Sequence, residues 1–203
     1  MAQSLSIESV PGHADFRALR DIPGVRVDLR YATPNNFVGD DMYSPFDCAW
    51  LHRDGADALL RAVDALAKRR GDLSLLVLDA LRPQRVQERM WKVLEGSGLT
   101  QYLANPVRGS IHSFGMAVDV TLVDASGRGL DMGTGFDDLT ERSHPALEEG
   151  FLIRGELAQE HLDNRRLLRA VMREAGWSGI NTEWWHFDGG DRERIRAGYS
   201  RVL

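Results

Sequence analysis

Hydrophobic positions along the chain fall into three helical stripes and two short runs of strand character. After Asp54, which suits an N-cap, Ala56, Leu59, Leu60, Val63, Leu66 and Ala67 recur at helical spacing and predict an amphipathic helix. Leu73 to Leu78 is a nearly continuous apolar run ending at Asp79, the pattern of a strand buried on both faces. Arg82-Pro83 then turns the chain. Pro83 fits a first helical position, and Val86, Met90, Val93 and Leu94 carry the helix to a stop at Gly96, which places Arg82 at a strand-to-helix junction. Leu167, Leu168, Val171, Met172 and Ala175 mark a third helix closed by Gly176.

Between them, Met116 to Leu122 has the period of a strand: Met116, Val118, Val120 and Leu122 share a core face, and Ala117, Asp119 and Thr121 share the other. Strands mix with helices without a regular βαβ repeat, so the expected class is α+β, with a small, mostly antiparallel sheet flanked by helices. No repeat, low-complexity tract or linker interrupts the sequence, and residues 1–203 are expected to form a single domain.

Composition narrows the function. With 43% hydrophobic and 27% charged residues the chain can bury a core. A net charge of -5 argues against nucleic acid or an anionic membrane as partner, since both reward clustered cations; Lys68-Arg69-Arg70 reads as a solvated helix end. Cys48 is the only cysteine, which excludes an intramolecular disulfide and a thiolate-rich zinc site and suggests a packed side chain. Met1 to Pro11 lacks the basic and apolar regions of an export signal, and no stretch approaches the roughly 18 apolar residues of a membrane span. A cytoplasmic protein without membrane anchorage is expected; self-association into a homo-oligomer stays open.

Chemistry concentrates around Asp119. A carboxylate on a core strand is costly unless it is paired or bound to metal. His112 lies just upstream across Ser113-Phe114-Gly115, where the glycine lets the chain turn and bring the imidazole back toward the carboxylate. Glu183-Trp184-Trp185-His186 supplies a second imidazole and a second carboxylate within an aromatic run. Two histidines and one carboxylate with an open fourth position are the usual ligands of catalytic zinc, and a further carboxylate can take a proton from the water bound there. In a regular strand residues 183 and 186 point to opposite faces, so Glu183 must sit in the preceding turn or at a bulge.

These residues resemble a known family. Ser110-Ile-His112-Ser-Phe-Gly115-Met-Ala117-Val-Asp119 followed by Glu183-Trp-Trp-His186 is similar to the paired signature SxHxxGxAxD and ExxH of zinc D-Ala-D-Ala dipeptidases and their carboxypeptidase relatives. Arg30-Tyr31-Ala32-Thr33-Pro34-Asn35-Asn36-Phe37, Arg82-Pro83, Asp131-Met-Gly-Thr-Gly-Phe-Asp137 and Glu141-Arg142-Ser143-His144 favour the vancomycin-resistance type of dipeptidase. The resemblance implies a fold like that of Hedgehog domains and one Zn²⁺ per chain, ligated by His112, Asp119 and His186. It implies that Glu183 activates water and protonates the leaving amine, and that Arg82 stabilises the oxyanion. Tyr31, Ser110 and Asp137 fall where the family binds the ends of a free dipeptide, with Asp138 competing for the role of Asp137.

Bland readings remain for other residues. His13, His52 and His161 lack motif context, His144 suits a satisfied loop histidine, and Trp184 and Trp185 suit packing. The tail from Asp188 to Asp191 and the basic stretch after it match no family motif. The expected substrate is the cell-wall precursor dipeptide D-Ala-D-Ala. The alternatives are a zinc carboxypeptidase or endopeptidase acting on peptidoglycan stems, and a zinc-stabilised binding module without catalysis; Glu183 and Arg82 speak against the last.

Overall fold

The computed structural model describes residues 4–203; residues 1–3, the start of the stretch read for an export signal, lie outside the described residues. In chain order the strands are β1 (Ser4–Leu5), β2 (Phe16–Ala18), β3 (Val25–Val27), β4 (Trp50–His52), β5 (Ser74–Asp79), β6 (Ala117–Val123), β7 (Ser178–Gly179), β8 (His186–Asp188) and β9 (Arg201–Val202). The helices are α1 (Arg53–Arg69), α2 (Gln84–Leu94), α3 (Glu148–Ile153), α4 (Gln159–Glu174) and α5 (Arg192–Gly198).

Five strands form the main sheet in the order β3-β5-β6-β8-β7. Only β3 and β5 run parallel; the other pairings are antiparallel, as an α+β chain with a mostly antiparallel sheet requires. The apolar stripe of α1, including Ala56, Leu59, Ala62 and Leu66, packs with Leu168, Val171 and Met172 of α4 against Leu75, Val77, Val118, Val120 and Leu122 of the sheet. Burying that stripe removes the apolar surface that drives the three segments together. A second cluster joins the turn-rich N-terminal region to α2, bringing Tyr31, Tyr43, Cys48 and Trp50 against Leu81, Val86 and Met90. Cys48 is buried there, and burial pushes its thiol well above the usual range, the environment of a packing residue rather than a nucleophile.

Three details differ from the sequence reading. Helix α1 is capped by His52, whose Nδ1 accepts from the Asp54 amide at 3.2 Å, so Asp54 lies in the first turn and His52 is the cap. Pro83 is the N-cap of α2 rather than its first residue. All seven residues of β6 are buried, including the Asp119 face, where Ala117 packs with Ile111 and Phe114 of the turn that precedes the strand. No described helix is long and apolar enough to cross a membrane.

Register places the chemistry. Val77 pairs with Val120, but the next pair is Asp79 with Asp119, so β5 takes two residues where β6 takes one. This bulge at Leu78 changes the parity of the strand end and turns Asp79 to the face that carries Asp119. Asp119 pairs in turn with His186 of β8. Asp79, Asp119 and His186 thus form one rung across three strands.

Candidate metal and active site

His112 reaches this rung through a tight turn. The 3-10 turn Ile111–Phe114 ends at Gly115, whose φ of +66° and lack of a Cβ are both needed; a Cβ would stand 2.6 Å from the His52 amide nitrogen. His112 Nδ1 lies 2.7 Å from the Ala80 carbonyl oxygen, which can only accept, so Nδ1 carries the proton and Nε2 keeps its lone pair. That Nε2 is 3.1 Å from His186 Nδ1 and 3.4 Å from Asp119 Oδ1, and His186 Nδ1 is 2.9 Å from the same Oδ1. The structure therefore brings the three expected ligand atoms together in a group able to hold a metal ion.

The far nitrogen of His186, Nε2, faces Asp188 Oδ1 at 3.0 Å, and Asp188 Oδ2 accepts from Arg192 Nε at 2.6 Å. Burial alone would disfavour charge on His186, but Asp188 and Asp119 outweigh it and hold the imidazole well above its usual range. Burial likewise raises Asp119, yet His112 and His186 dominate and hold its carboxyl below the usual carboxylate range. The cluster favours a positive charge at its centre, whether proton or metal cation.

Glu183 lies in the loop between β7 and β8, which decides between the two geometries open from the sequence: it reaches the site from the preceding turn, not from a bulge. Burial pushes its carboxyl up to about 8, against the pull of His186. Arg82, at the strand-to-helix junction, is buried and donates from Nε and NH2 to Asp79 Oδ2 at 2.9 and 2.6 Å and from NH1 to Gln87 Oε1 at 3.0 Å. Its NH2 also stands 3.5 Å from Asp119 Oδ2, and its guanidinium lies 5.1 Å from the Tyr31 ring centroid. Asp79 is fixed in turn by the Tyr43 hydroxyl and the Ala80 amide.

Tyr31 is fully buried and donates its hydroxyl to Asp137 Oδ1 at 2.8 Å; Asp137 Oδ2 accepts from the Phe37 amide at 3.3 Å. Burial raises the Asp137 carboxyl to about 7, although the Tyr31 hydrogen bond opposes this. Asp138, the competing residue, accepts from Thr140 Oγ1 at 2.5 Å, pairs with Arg142 at 3.7 Å and does not line the site. All the other candidates, namely Tyr31, Arg82, Ser110, His112, Asp119, Asp137, Glu183 and His186, line one cavity of about 250 Å³.

Sequence reasoning missed Asp188, Arg192, Asp79, Gln87 and Tyr43. A signal existed for Asp188, because residues 186 and 188 share a face of any strand. For Asp79 it did not, since its orientation depends on the bulge; Tyr43 arrives from a distant turn. His144 is satisfied by the Tyr102 hydroxyl at 2.9 Å, as a loop histidine should be.

The profile of the peptidase M15 family, described as D-ala-D-ala dipeptidase, matches residues 13–202. The chain is 38% identical to a D-alanyl-D-alanine dipeptidase of Escherichia coli (strain K12) over 82% of its own length and 79% of the relative's. It is 33% identical to one of Enterococcus faecium over 82% and 86% of the two chains. A third, from Streptomyces coelicolor, is 32% identical over 82% and 86%. With the profile spanning nearly the whole chain and relatives above 30% identity aligned over most of both lengths, the chain belongs to the D-ala-D-ala dipeptidase family of M15 peptidases.

Proposed function

We propose that this chain hydrolyses D-Ala-D-Ala to two D-alanines with one zinc ion held by His112, Asp119 and His186. The observation that carries the reading is the triangle of ligand atoms, with edges of 2.9, 3.1 and 3.4 Å. Ligands about 2.0–2.2 Å from a tetrahedral ion stand about 3.3 Å apart, so these side chains fit zinc with little movement. Nitrogen and carboxylate donors without thiolate suit the same ion. When bound, zinc supplies Lewis acidity at an open position, lowering the pKa of water there to about 7 and polarising the scissile carbonyl.

The chain's own residues complete the chemistry. Glu183 takes the proton released as the water oxygen bonds to the carbonyl carbon, and returns it to the amine nitrogen as the C–N bond breaks. A carboxyl with affinity for protons near neutrality serves both directions. Arg82 faces the same cavity, and most of its N–H donors are already committed to Asp79 and Gln87. The remaining NH1 hydrogen and the long contact to Asp119 are what it can offer a developing oxyanion. Asp137, aimed by Tyr31, takes the free ammonium of the dipeptide, and Ser110 takes part in holding its other end.

A cytoplasmic place of action belongs to this proposal and is consistent with a single, buried, unpaired cysteine. D-alanine release from free and N-acetylated D-Ala-D-Ala tests the substrate. The free dipeptide is expected to be preferred by at least about 10² in kcat/KM, since acetylation removes the charge opposite a buried carboxylate. Equal kcat/KM would favour a peptidase acting on peptidoglycan stem peptides.

A further inference from the structure

The loop that carries Asp137 leaves and rejoins the fold at a single guanidinium. Arg165 of α4 has no exposed surface. Its Nε donates to the Met132 carbonyl at 2.7 Å, its NH1 to the Arg142 carbonyl at 3.0 Å, and its NH2 to Thr134 Oγ1 at 3.2 Å. Asp137 lies midway between Met132 and Arg142 in sequence. It also has φ of 61°, a backbone conformation that a residue with a Cβ holds only when its surroundings impose it. Gly133 brings the loop so close to α4 that a Cβ there would stand 2.6 Å from His161 Nδ1. The loop base is therefore fixed to α4, and Asp137 is presented from a clamped segment.

We propose that Arg165 is a positioning residue for the ammonium end of the substrate: by closing the base of this loop it sets Asp137 and, with it, the preference for a free N-terminus. The proposal rests on the reading of Asp137 given above. Thr134 extends the clamp, because its Oγ1 also accepts from Trp184 Nε1 at 2.8 Å, tying the Asp137 loop to the segment that carries Glu183. A guanidinium is suited to this task, since its planar fork reaches two carbonyls and a hydroxyl in three directions and an ammonium does not. Its charge is not what the loop requires. Glu148, 3.3 Å from Arg165, is held by two bonds of 2.7 Å from Arg169 and keeps a partner when Arg165 is replaced.

The test is the ratio of kcat/KM for free over N-acetylated D-Ala-D-Ala, measured on the zinc-loaded protein for the wild type, Arg165→Lys and Thr134→Val. Arg165→Lys is expected to lower the ratio about tenfold, chiefly through a higher KM for the free dipeptide, with bound zinc and turnover of the acetylated substrate nearly unchanged. Thr134→Val, which keeps the side-chain shape and removes the shared acceptor, is expected to lower it several-fold, and it decides the matter if the lysine variant does not fold. A high wild-type ratio that persists in the folded variants, with only thermal stability reduced, would make Arg165 a structural residue and overturn the proposal. A wild-type ratio near one would instead remove the reading of Asp137 itself.

Discussion

Asp119 and His186 face each other in register on neighbouring strands, Oδ1 to Nδ1 at 2.9 Å, and the opposite nitrogen of His186 is held by Asp188 at 3.0 Å. One imidazole is thus fixed between two carboxylates. The hydrogen bond from Nε2–H to Asp188 leaves Nδ1 as the donor available to a metal. Arg192 keeps Asp188 from turning away.

Asp188→Ala is therefore expected to weaken zinc binding about 10- to 100-fold, the usual cost of removing the partner that orients a histidine ligand. Chelator competition on the purified protein measures it. Unchanged affinity would mean that packing of β8 alone orients His186.

Glu183→Gln is expected to keep zinc bound and to lower kcat by about 10² to 10⁴, because it removes proton transfer without removing a ligand. Metal analysis and steady-state kinetics on the same sample separate the two effects. Loss of zinc in proportion to activity would make Glu183 a ligand.

The same residue gives a pH signature in the metal-free protein. Burial holds Glu183 at about 8 and Asp137 at about 7, whereas in the unfolded chain such carboxyls titrate near about 4. The folded state keeps protons that the unfolded state releases, so the stability these two groups contribute is full below about pH 4 and is lost as pH rises toward about 8. Glu183→Gln should raise the Tm of the metal-free protein at pH 8 by at least about 2–4 °C, the shift produced by ~1 kcal/mol in a chain of this size, and by little at pH 4. An equal difference at both pH values would contradict the shift.

Arg82→Lys is expected to lower kcat by about 10², with zinc content retained, because lysine supplies one charge where the site uses a fork. It should also lower Tm, since Asp79 and Gln87 lose their bonds to the guanidinium. Near-normal kcat with a reduced Tm would limit Arg82 to holding Asp79.

Local spacing made much of the site legible. His112, Gly115 and Asp119 sit within one turn and one strand, where steric rules for glycine and the strand period fix relative placement. The helical stripes of α1, α2 and α4 were equally plain, with errors at caps such as His52, at Val93, which is exposed, and at the start of α4, which begins at Gln159 ahead of the stripe. What stayed hidden depends on tertiary register. The bulge at Leu78 turns Asp79 toward Asp119, and no local pattern announces it. Tyr43 and Arg165 act across long sequence separations, on Asp79 and on the loop around Asp137. The burial of both faces of β6 follows from loops whose paths composition does not encode.

The most direct measurement is D-alanine release from D-Ala-D-Ala by the purified protein as prepared, after complete removal of divalent metal, and after addition of about one equivalent of zinc per chain. Turnover is expected to be lost with the metal and restored by zinc, with no recovery in His112→Ala or His186→Ala at the same zinc level. Turnover that survives complete metal removal would contradict the assignment of His112, Asp119 and His186 as the ligands of a catalytic zinc.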